Sequence, residues 1–497
     1  MKKNLLLMAL AALFVCSCSL DINNSPNYPQ NDDISAEMIF PSVANSLAAT
    51  IGDQMFNYGG FFAQYFEQKP EANQYNDLAE YRLDEGKNLF DRCYRTLYAG
   101  TLMDIQEVLA RTSAPADVYA CKVLRAYALT LVADNLNNAP YTEALQGAAN
   151  TTPKWESGIA VYEGVLKEID DAEAALTGSG LTLKDYVLGG DEGKWVQFAN
   201  ALRLRWYLRL DAAGQAGYSQ KLKDLVAEGN FPDADITFDA YLDQEKQYNP
   251  WYAGVFELGT QNHVAAYPLV SYLVATSDPR IAYAIDKNEA AGAYVGQIPG
   301  AKSRMKEWSG SDWKNAHVSA INYGPAHAMP VYFFTAAEVQ FLMAEVELNI
   351  NNDLAAAKTA YNAGIALDFA SRGVDDAGLT TFMANPAISL DGLTDKEEMM
   401  KRIGMQKWVA LFYRDHMEAW SEARRTHIPA CSGRTAEQVY KDSPAQYVPG
   451  DFIVPAVNEI IAGGLIKRVP YPENARKFNI NTPAFETLDK KVFFDKN

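Results

Sequence analysis

Long apolar runs are scarce in these 497 residues: Leu5 to Val15, eleven residues, is the one unbroken stretch. A bilayer span needs about 20 such residues, so no membrane-crossing helix is expected. Cysteine and histidine are also scarce, five of each. His263, His317, His327, His416 and His427 show no metal-ligand spacing, and no two cysteines of the folded part are spaced as a zinc or redox pair. H-E-x-x-H, G-x-S-x-G, the P-loop and G-x-G-x-x-G are all absent, so none of those chemistries has a motif here, and among 62 acidic residues nothing nominates a glycosidase pair. An enzyme is not expected. Basic residues are in deficit, 44 against 62 acidic, which disfavours nucleic acid as a partner. Charge is nevertheless dilute at 21% and apolar content is 48%, the balance of a packed body rather than an acidic disordered chain.

Lys2 and Lys3 precede the apolar stretch, which ends in Val15-Cys16-Ser17-Cys18. An aliphatic residue three places before a cysteine, with a small residue just before it, resembles the bacterial lipobox. Residues 1–17 are therefore read as a lipoprotein signal peptide and Cys18 as the lipidated (palmitate-type) N-terminus. An ordinary secretory signal cleaved near Ser19 is the alternative. Removing residues 1–17 takes two lysines and leaves 42 basic against 62 acidic residues, a formal charge of −20. Residues 18–35 are rich in Asn, Asp, Pro and Ser and read as a tether to a single domain, 36–497.

Helical periodicity dominates from there. Phe90, Cys93, Tyr94, Leu97, Ile105 and Val108, then Val118, Cys121, Leu124, Ala128 and Leu131, predict a first helical pair. Ile159, Tyr162, Val165, Ile169 and Leu176, then Trp195, Phe198, Leu202 and Trp206, predict a second. Val339, Leu342 and Val346, then Leu354, Ala357 and Tyr361, predict a third. The spacing within each pair is near the tetratricopeptide period. The fold class expected is mainly α: degenerate tetratricopeptide-like hairpins in blocks of about 86–213 and 335–425, with a long helix over about 396–425. Between about 215 and 330, Gly, Pro, Asn and aromatic residues without periodicity predict a loop-rich insertion carrying the ligand face. Cys93 and Cys121 fall on apolar stripes and read as buried free thiols, a disulfide between them being the alternative; Cys431 has no evident partner.

Several segments resemble one family. Asp134 to Leu145 (DNLNNAPYTEAL) is similar to its turn between hairpins, and Lys194 to Arg205 (KWVQFANALRLR) to its K-W-x-x-F-A-N helix. Glu338 to Glu345 (EVQFLMAE), Gln406 to Pro429 (with QKWVALF and EAWSEARR) and Phe62-Ala63-Gln64-Tyr65 follow the same pattern, in family order from about residue 36 to the end. On these motifs the chain resembles the SusD/RagB family of Bacteroidetes outer-membrane lipoproteins. The resemblance implies a non-catalytic, surface-exposed lipoprotein that captures oligosaccharides and delivers them to a TonB-dependent, SusC-like transporter. The same scaffold capturing peptides, or a helical-repeat interaction protein without a small-molecule site, are the alternatives. Surface lipoproteins of these bacteria tend to carry several acidic residues after the lipidated cysteine, whereas Ser19-Leu20-Asp21 offers one.

Read physically, Trp195, Phe198 and Trp206 share a helical face and are core residues, and Arg424 and Arg425 are placed to satisfy helix C-terminal carbonyls. The candidate ligand residues are Trp251, Tyr252, Trp308, Trp313 and Tyr323 in the insertion, and Tyr75, Tyr81 and Arg82 beside Asn73 and Gln74. A flat ring packs on the apolar face of a sugar while neighbouring amides and charges hydrogen-bond its hydroxyls. No cofactor is expected; a structural calcium at Asp233, Asp235 and Asp239 is a minor alternative, since that loop lacks the Gly and terminal Glu of an EF-hand.

Overall fold

The computed structural model of the protein describes residues 33–84, 86–442, 446–460 and 464–495. The expected signal peptide, Cys18 and most of the tether lie outside the described residues. The last tether residue is the cap of the first helix: Ser35 is extended and its hydroxyl accepts from the Met38 amide, at the start of α1 (Ala36–Thr50). A π-helical turn, Ile51–Met55, carries α1 into α2 (Phe56–Phe62), and β1 (Phe66–Gln68) follows. A second π-helical tract, Thr96–Leu102, and α3 (Met103–Leu109) lie against α1, where the Ser46 and Thr101 hydroxyls meet at 2.8 Å.

Pro115 opens α4 (Pro115–Leu136) in the first turn, where no amide partner is lost, and the helix is buried on nearly every side. It packs on α5 (Gly158–Glu173), whose Val161, Tyr162, Val165, Leu166 and Ile169 form one inward stripe. Between them β2 (Asn138–Pro140) and β3 (Trp155–Ser157) pair antiparallel. Then come α6 (Glu192–Ala212) packed on α7 (Tyr218–Glu228), β4 (Ile236–Phe238), α8 (Pro250–Glu257), β5 (His263–Ala265) and α9 (Tyr267–Ala275). β6 (Val331–Phe334) returns the chain to α10 (Ala336–Val346) and α11 (Leu354–Ser371), then α12 (Lys396–Leu411) and α13 (His416–Thr426).

The mainly helical, hairpin-built class is as expected, and Trp195, Phe198 and Trp206 are buried. The pairing is shifted by one helix relative to the sequence reading. The tract before Pro115 packs chiefly on α1, so α4 takes α5 as its main partner and α6 takes α7; the α10–α11 pair stands as read. Periodicity marks an inward face without saying which neighbour covers it. The expected single helix over 396–425 is broken. Phe412 leaves the helix in extended conformation, Tyr413 takes a φ of +60°, and Asp415 caps α13 by accepting from Glu418 N (3.0 Å). The insertion is stitched to the chain on either side of it, because β5 pairs with β1 and β4 with β6, each antiparallel.

Four of the five segments that carried the resemblance contribute to one buried ion network; Phe62 to Tyr65 does not. Arg205 of α6 holds Glu338 of α10 through two bonds of 2.9 and 2.8 Å. Arg209 binds Asp134 of α4 (2.6 Å) and Glu418 of α13 (2.5 Å). Arg425 joins Glu345 (2.7 Å) to Glu422 (2.7 Å), and Lys407 of α12 closes on Glu422. Burial opposes ionisation of Glu345 and Glu422, yet Arg425 and Lys407 overcome it and hold both carboxyls below their ordinary range. Gly59 lets α2 nest on α13: a Cβ there would lie 2.5 Å from the His416 backbone.

Cys93 and Cys121 are free and buried, so the disulfide alternative is not realised, and Cys431 is free and exposed. Asp235 spends an oxygen on the Ala336 amide (2.9 Å) at the start of α10. Among the described residues no cluster of His, Cys, Asp or Glu is arranged to hold a metal ion, so Asp233, Asp235 and Asp239 do not form a calcium site in this arrangement.

Candidate ligand-binding site

The π-turn and α2 present Asp53, Gln54, Asn57 and Tyr58 half-buried on one side of an otherwise apolar helix. Opposite them stand Gln74 and Tyr75 from the turn after β1, and Trp251 and Leu258 from α8 and its exit. Together with Arg92 and Thr260 they line a hollow of about 270 Å3. Its floor is an aromatic stack. Tyr75 lies on His263 at 4.3 Å between ring centres, and Trp251 lies between Phe66 (5.5 Å, 9°) and Tyr323 (5.3 Å, 24°).

Hydrogen bonds fix the polar groups of this floor. Asn57 Oδ1 accepts from His263 Nε2 (2.7 Å) and Trp251 Nε1 (3.4 Å), while His263 Nδ1 and the Tyr323 hydroxyl are 2.6 Å apart. Burial, with His416 nearby, pushes His263 down to about 3, so the ring is neutral. With Asn57 Oδ1 as acceptor, the proton sits on Nε2 and Nδ1 accepts from Tyr323. The Tyr75 hydroxyl donates to Thr260 O at 3.0 Å. Asp53 pairs with Arg92 (3.1 Å), but burial outweighs that partner and raises its carboxyl to about 6. The hollow therefore offers the half-buried Tyr58 ring over a closed aromatic floor, side-chain amides and one ion pair, without a positioned nucleophile or a poised acid–base pair. That set suits a hydroxyl-bearing ligand held by stacking and hydrogen bonds.

A second depression of about 540 Å3 lies beyond the 69–76 turn, lined by Arg304, Glu307, Trp308, Arg434 and Glu437. Trp308 is half-buried and lies on Tyr440 (5.8 Å, 28°). Trp313 is stacked on His317 (4.8 Å, 13°), and its Nε1 donates to Gln297 Oε1 (2.7 Å). Both tryptophans pack on a satellite core of Ile298, Ala301, Met305, Val439 and Ile453. The turn that carries Gln74 and Tyr75 is tied to the insertion: Glu71 exchanges hydrogen bonds with Asn315 (3.0 and 3.1 Å), and the Lys302 ammonium donates to Asn73 (2.6 Å).

The structure thus sorts the eight expected ligand residues into four places. Trp251 and Tyr75, with Tyr323 behind them, form the wall and floor of the hollow, buried or nearly so; none offers a free ring face. Trp308 and Trp313 belong to the second depression and its satellite core. Tyr252 is buried between Phe256 and His327, outside the hollow. Tyr81 is buried and lines a separate pocket of about 200 Å3 with Arg82, whose guanidinium is held by Glu80 and Glu459. Asp53, Gln54, Asn57, Tyr58 and Arg92 went unnoticed in the sequence. Their signal was available, since polar residues at 53, 54 and 57 interrupt an apolar helical run on a single side.

A family model described as SusD-like, starch-binding associating with outer membrane, matches residues 26–447. No curated protein matches the chain. Among solved structures, a SusD homolog from Bacteroides fragilis superposes with a TM-score of 0.73 at 18% identity, covering 93% of this chain and 100% of that one. A chitin-binding SusD homolog from Flavobacterium johnsoniae gives 0.71 at 18% identity, with 93% and 98% covered. A SusD homolog from Bacteroides uniformis gives 0.68 at 22% identity, with 92% and 99% covered. At these identities the likeness is one of fold.

Proposed function

The chain belongs to the SusD-like family, described as starch-binding and associating with the outer membrane, and from that membership we propose that it captures oligosaccharides and passes them to a TonB-dependent transporter. It is a binding protein and not an enzyme, in keeping with a family described by what it binds. The observation that carries the sugar reading is the hollow: the half-buried Tyr58 ring stands among Gln54, Asn57, Gln74 and the Asp53–Arg92 pair, over a sealed floor of Tyr75 and Trp251. A sugar face covering about 60 Å2 of ring gains roughly 1.5 kcal/mol, about tenfold in affinity per platform. Weak capture of this kind suffices when the cargo moves on to a partner. Glucose-based and N-acetylglucosamine-based glycans are the first candidates, given the family description and the chitin-binding fold relative.

Attachment through lipid at Cys18, the tether over 18–35 and exposure at the cell surface complete this reading. Among the described residues no helix is long and apolar enough to cross a membrane. Calorimetry and affinity electrophoresis over α-glucans, chitooligosaccharides and other glycans test the proposal. Retention by at least one class is expected, with Tyr58→Ala weakening it about tenfold, while Trp308→Ala reports whether longer glycans reach the second depression. Retention by none, together with binding of peptides, replaces the sugar reading with the peptide one.

A further inference from the structure

At the end of α2, one turn beyond Tyr58, Phe62 contributes to a cavity of about 330 Å3 that shares no lining residue with either depression described above. Its buried wall is Phe62, Trp420, Ala423, Pro429, Phe452 and Ile466, and its mouth is formed by His427, Ala430, Cys431, Leu465 and Lys467. At the roughly 30 Å3 that one water takes in the liquid, it has room for about ten non-hydrogen atoms. The wall is mostly hydrocarbon and aromatic, and the lining contains no carboxylate.

What it does contain is Arg424, 2% exposed, lying flat on the Trp420 ring at 3.6 Å. Every other buried arginine of α6 and α13 has a carboxylate partner; Arg203, Arg205, Arg209 and Arg425 are all paired. Arg424 has none among the described residues. Its nitrogens donate to the carbonyls of Asp134 (2.8 Å), Lys467 (2.9 Å) and Trp420 (3.3 Å) and to the Ser421 hydroxyl (2.8 Å). These dipoles fix the guanidinium in place but leave a whole positive charge buried beside an apolar space. Burial lowers its affinity for the proton, with Arg209 acting the same way, and Asp134, Asp495 and Glu418, none of them within ion-pair distance, offset this only in part. The other basic groups at the mouth already have a partner, because Asp495 takes both the Lys467 ammonium (2.7 Å) and the His427 ring (2.9 Å).

We propose that this cavity binds a small apolar anion, a carboxylate on a short hydrocarbon or aromatic body, with the anionic head at Arg424 and the body against Trp420, Phe62 and Phe452. Such a ligand supplies the missing counter-charge and buries its apolar part in the same step. The site is independent of the glycan reading. Titration of the whole protein with octanoate by calorimetry tests it, against octanamide, which has the same size and no charge. One saturable site is expected, at least tenfold weaker for octanamide and at least tenfold weaker in Ala430→Trp, where the exposed mouth residue plugs the entrance while the buried wall is untouched. Arg424→Leu should abolish the preference for the acid. The proposal is overturned by absence of saturable binding, by equal affinity for octanamide, which would make this a neutral acyl pocket, or by unaltered binding in Ala430→Trp.

Discussion

Asp53 is the residue through which pH should reach the candidate hollow. Its carboxyl is raised to about 6 by burial, with Arg92 pulling the other way. It is therefore ionised and paired at pH 7.5 and mostly neutral at pH 5, so one charge-assisted contact disappears across that interval. Glycan affinity measured by calorimetry is expected to change between those two values in the wild type and to stay flat in Asp53→Asn. His263 acts on stability instead. Its folded value of about 3 lies below the ordinary 6.5, so the unfolded chain takes up a proton that the native ring refuses. Stability held above pH 6.5 is lost as pH falls towards 3, by up to about 1.4 kcal/mol per unit. Denaturant unfolding at several pH values should show the advantage of the wild type over His263→Gln narrowing by about that slope below 6.5. Neither behaviour was legible in the sequence, since an aspartate in a helical run and a lone histidine in a loop owe these values to walls contributed by distant segments. Gln64 was legible as a motif but not as a device: its side chain exchanges hydrogen bonds with the Ile453 backbone (2.7 and 2.9 Å), 389 positions away.

The helices are held to one another by charge as well as by apolar faces. α4, α6, α10, α12 and α13 each contribute at least one member to the buried network around Arg209 and Arg425. Removing one partner strands another without water. Arg209→Met is therefore expected to cost about 3–5 kcal/mol in denaturant unfolding, because Asp134 is left buried without its ion-pair partner and Glu418 keeps only Arg205, at 3.3 Å. Replacing Lys167, which pairs with Asp171 on the exposed face of α5, should change little. Helix positions were readable from the sequence because an apolar stripe repeats with the turn of the helix. Their partners were not. α4 is buried nearly all round, so its periodicity could not say whether the preceding tract or α5 is its main neighbour. The break at 412–415 was equally hidden, since QKWVALF and EAWSEARR continue the same helical pattern across it.

At the scale of the molecule, the insertion is hydrogen-bonded to the chain on either side of it, β5 to β1 and β4 to β6. The proposed capture role requires the protein to stay near the proposed transporter, and that is the part assigned to lipid at Cys18. Cys18→Ala is expected to abolish incorporation of labelled palmitate and to release the protein from the membrane fraction, with glycan binding by the purified protein unchanged. Protease accessibility on intact cells reports which side of the membrane it occupies. The sequence by itself determined the helical class, the family and the non-catalytic character, because these rest on local periodicity and on short motifs whose order along the chain can be read directly. Only the tertiary structure decided which aromatic residues could face a ligand. Trp251 and Tyr75 look alike to Trp308 as apolar rings among polar neighbours, yet the first two are sealed into a stack around His263 and the third edges a depression. Whether a ring face is free depends on what the rest of the chain lays against it, and that is settled by contacts hundreds of residues apart.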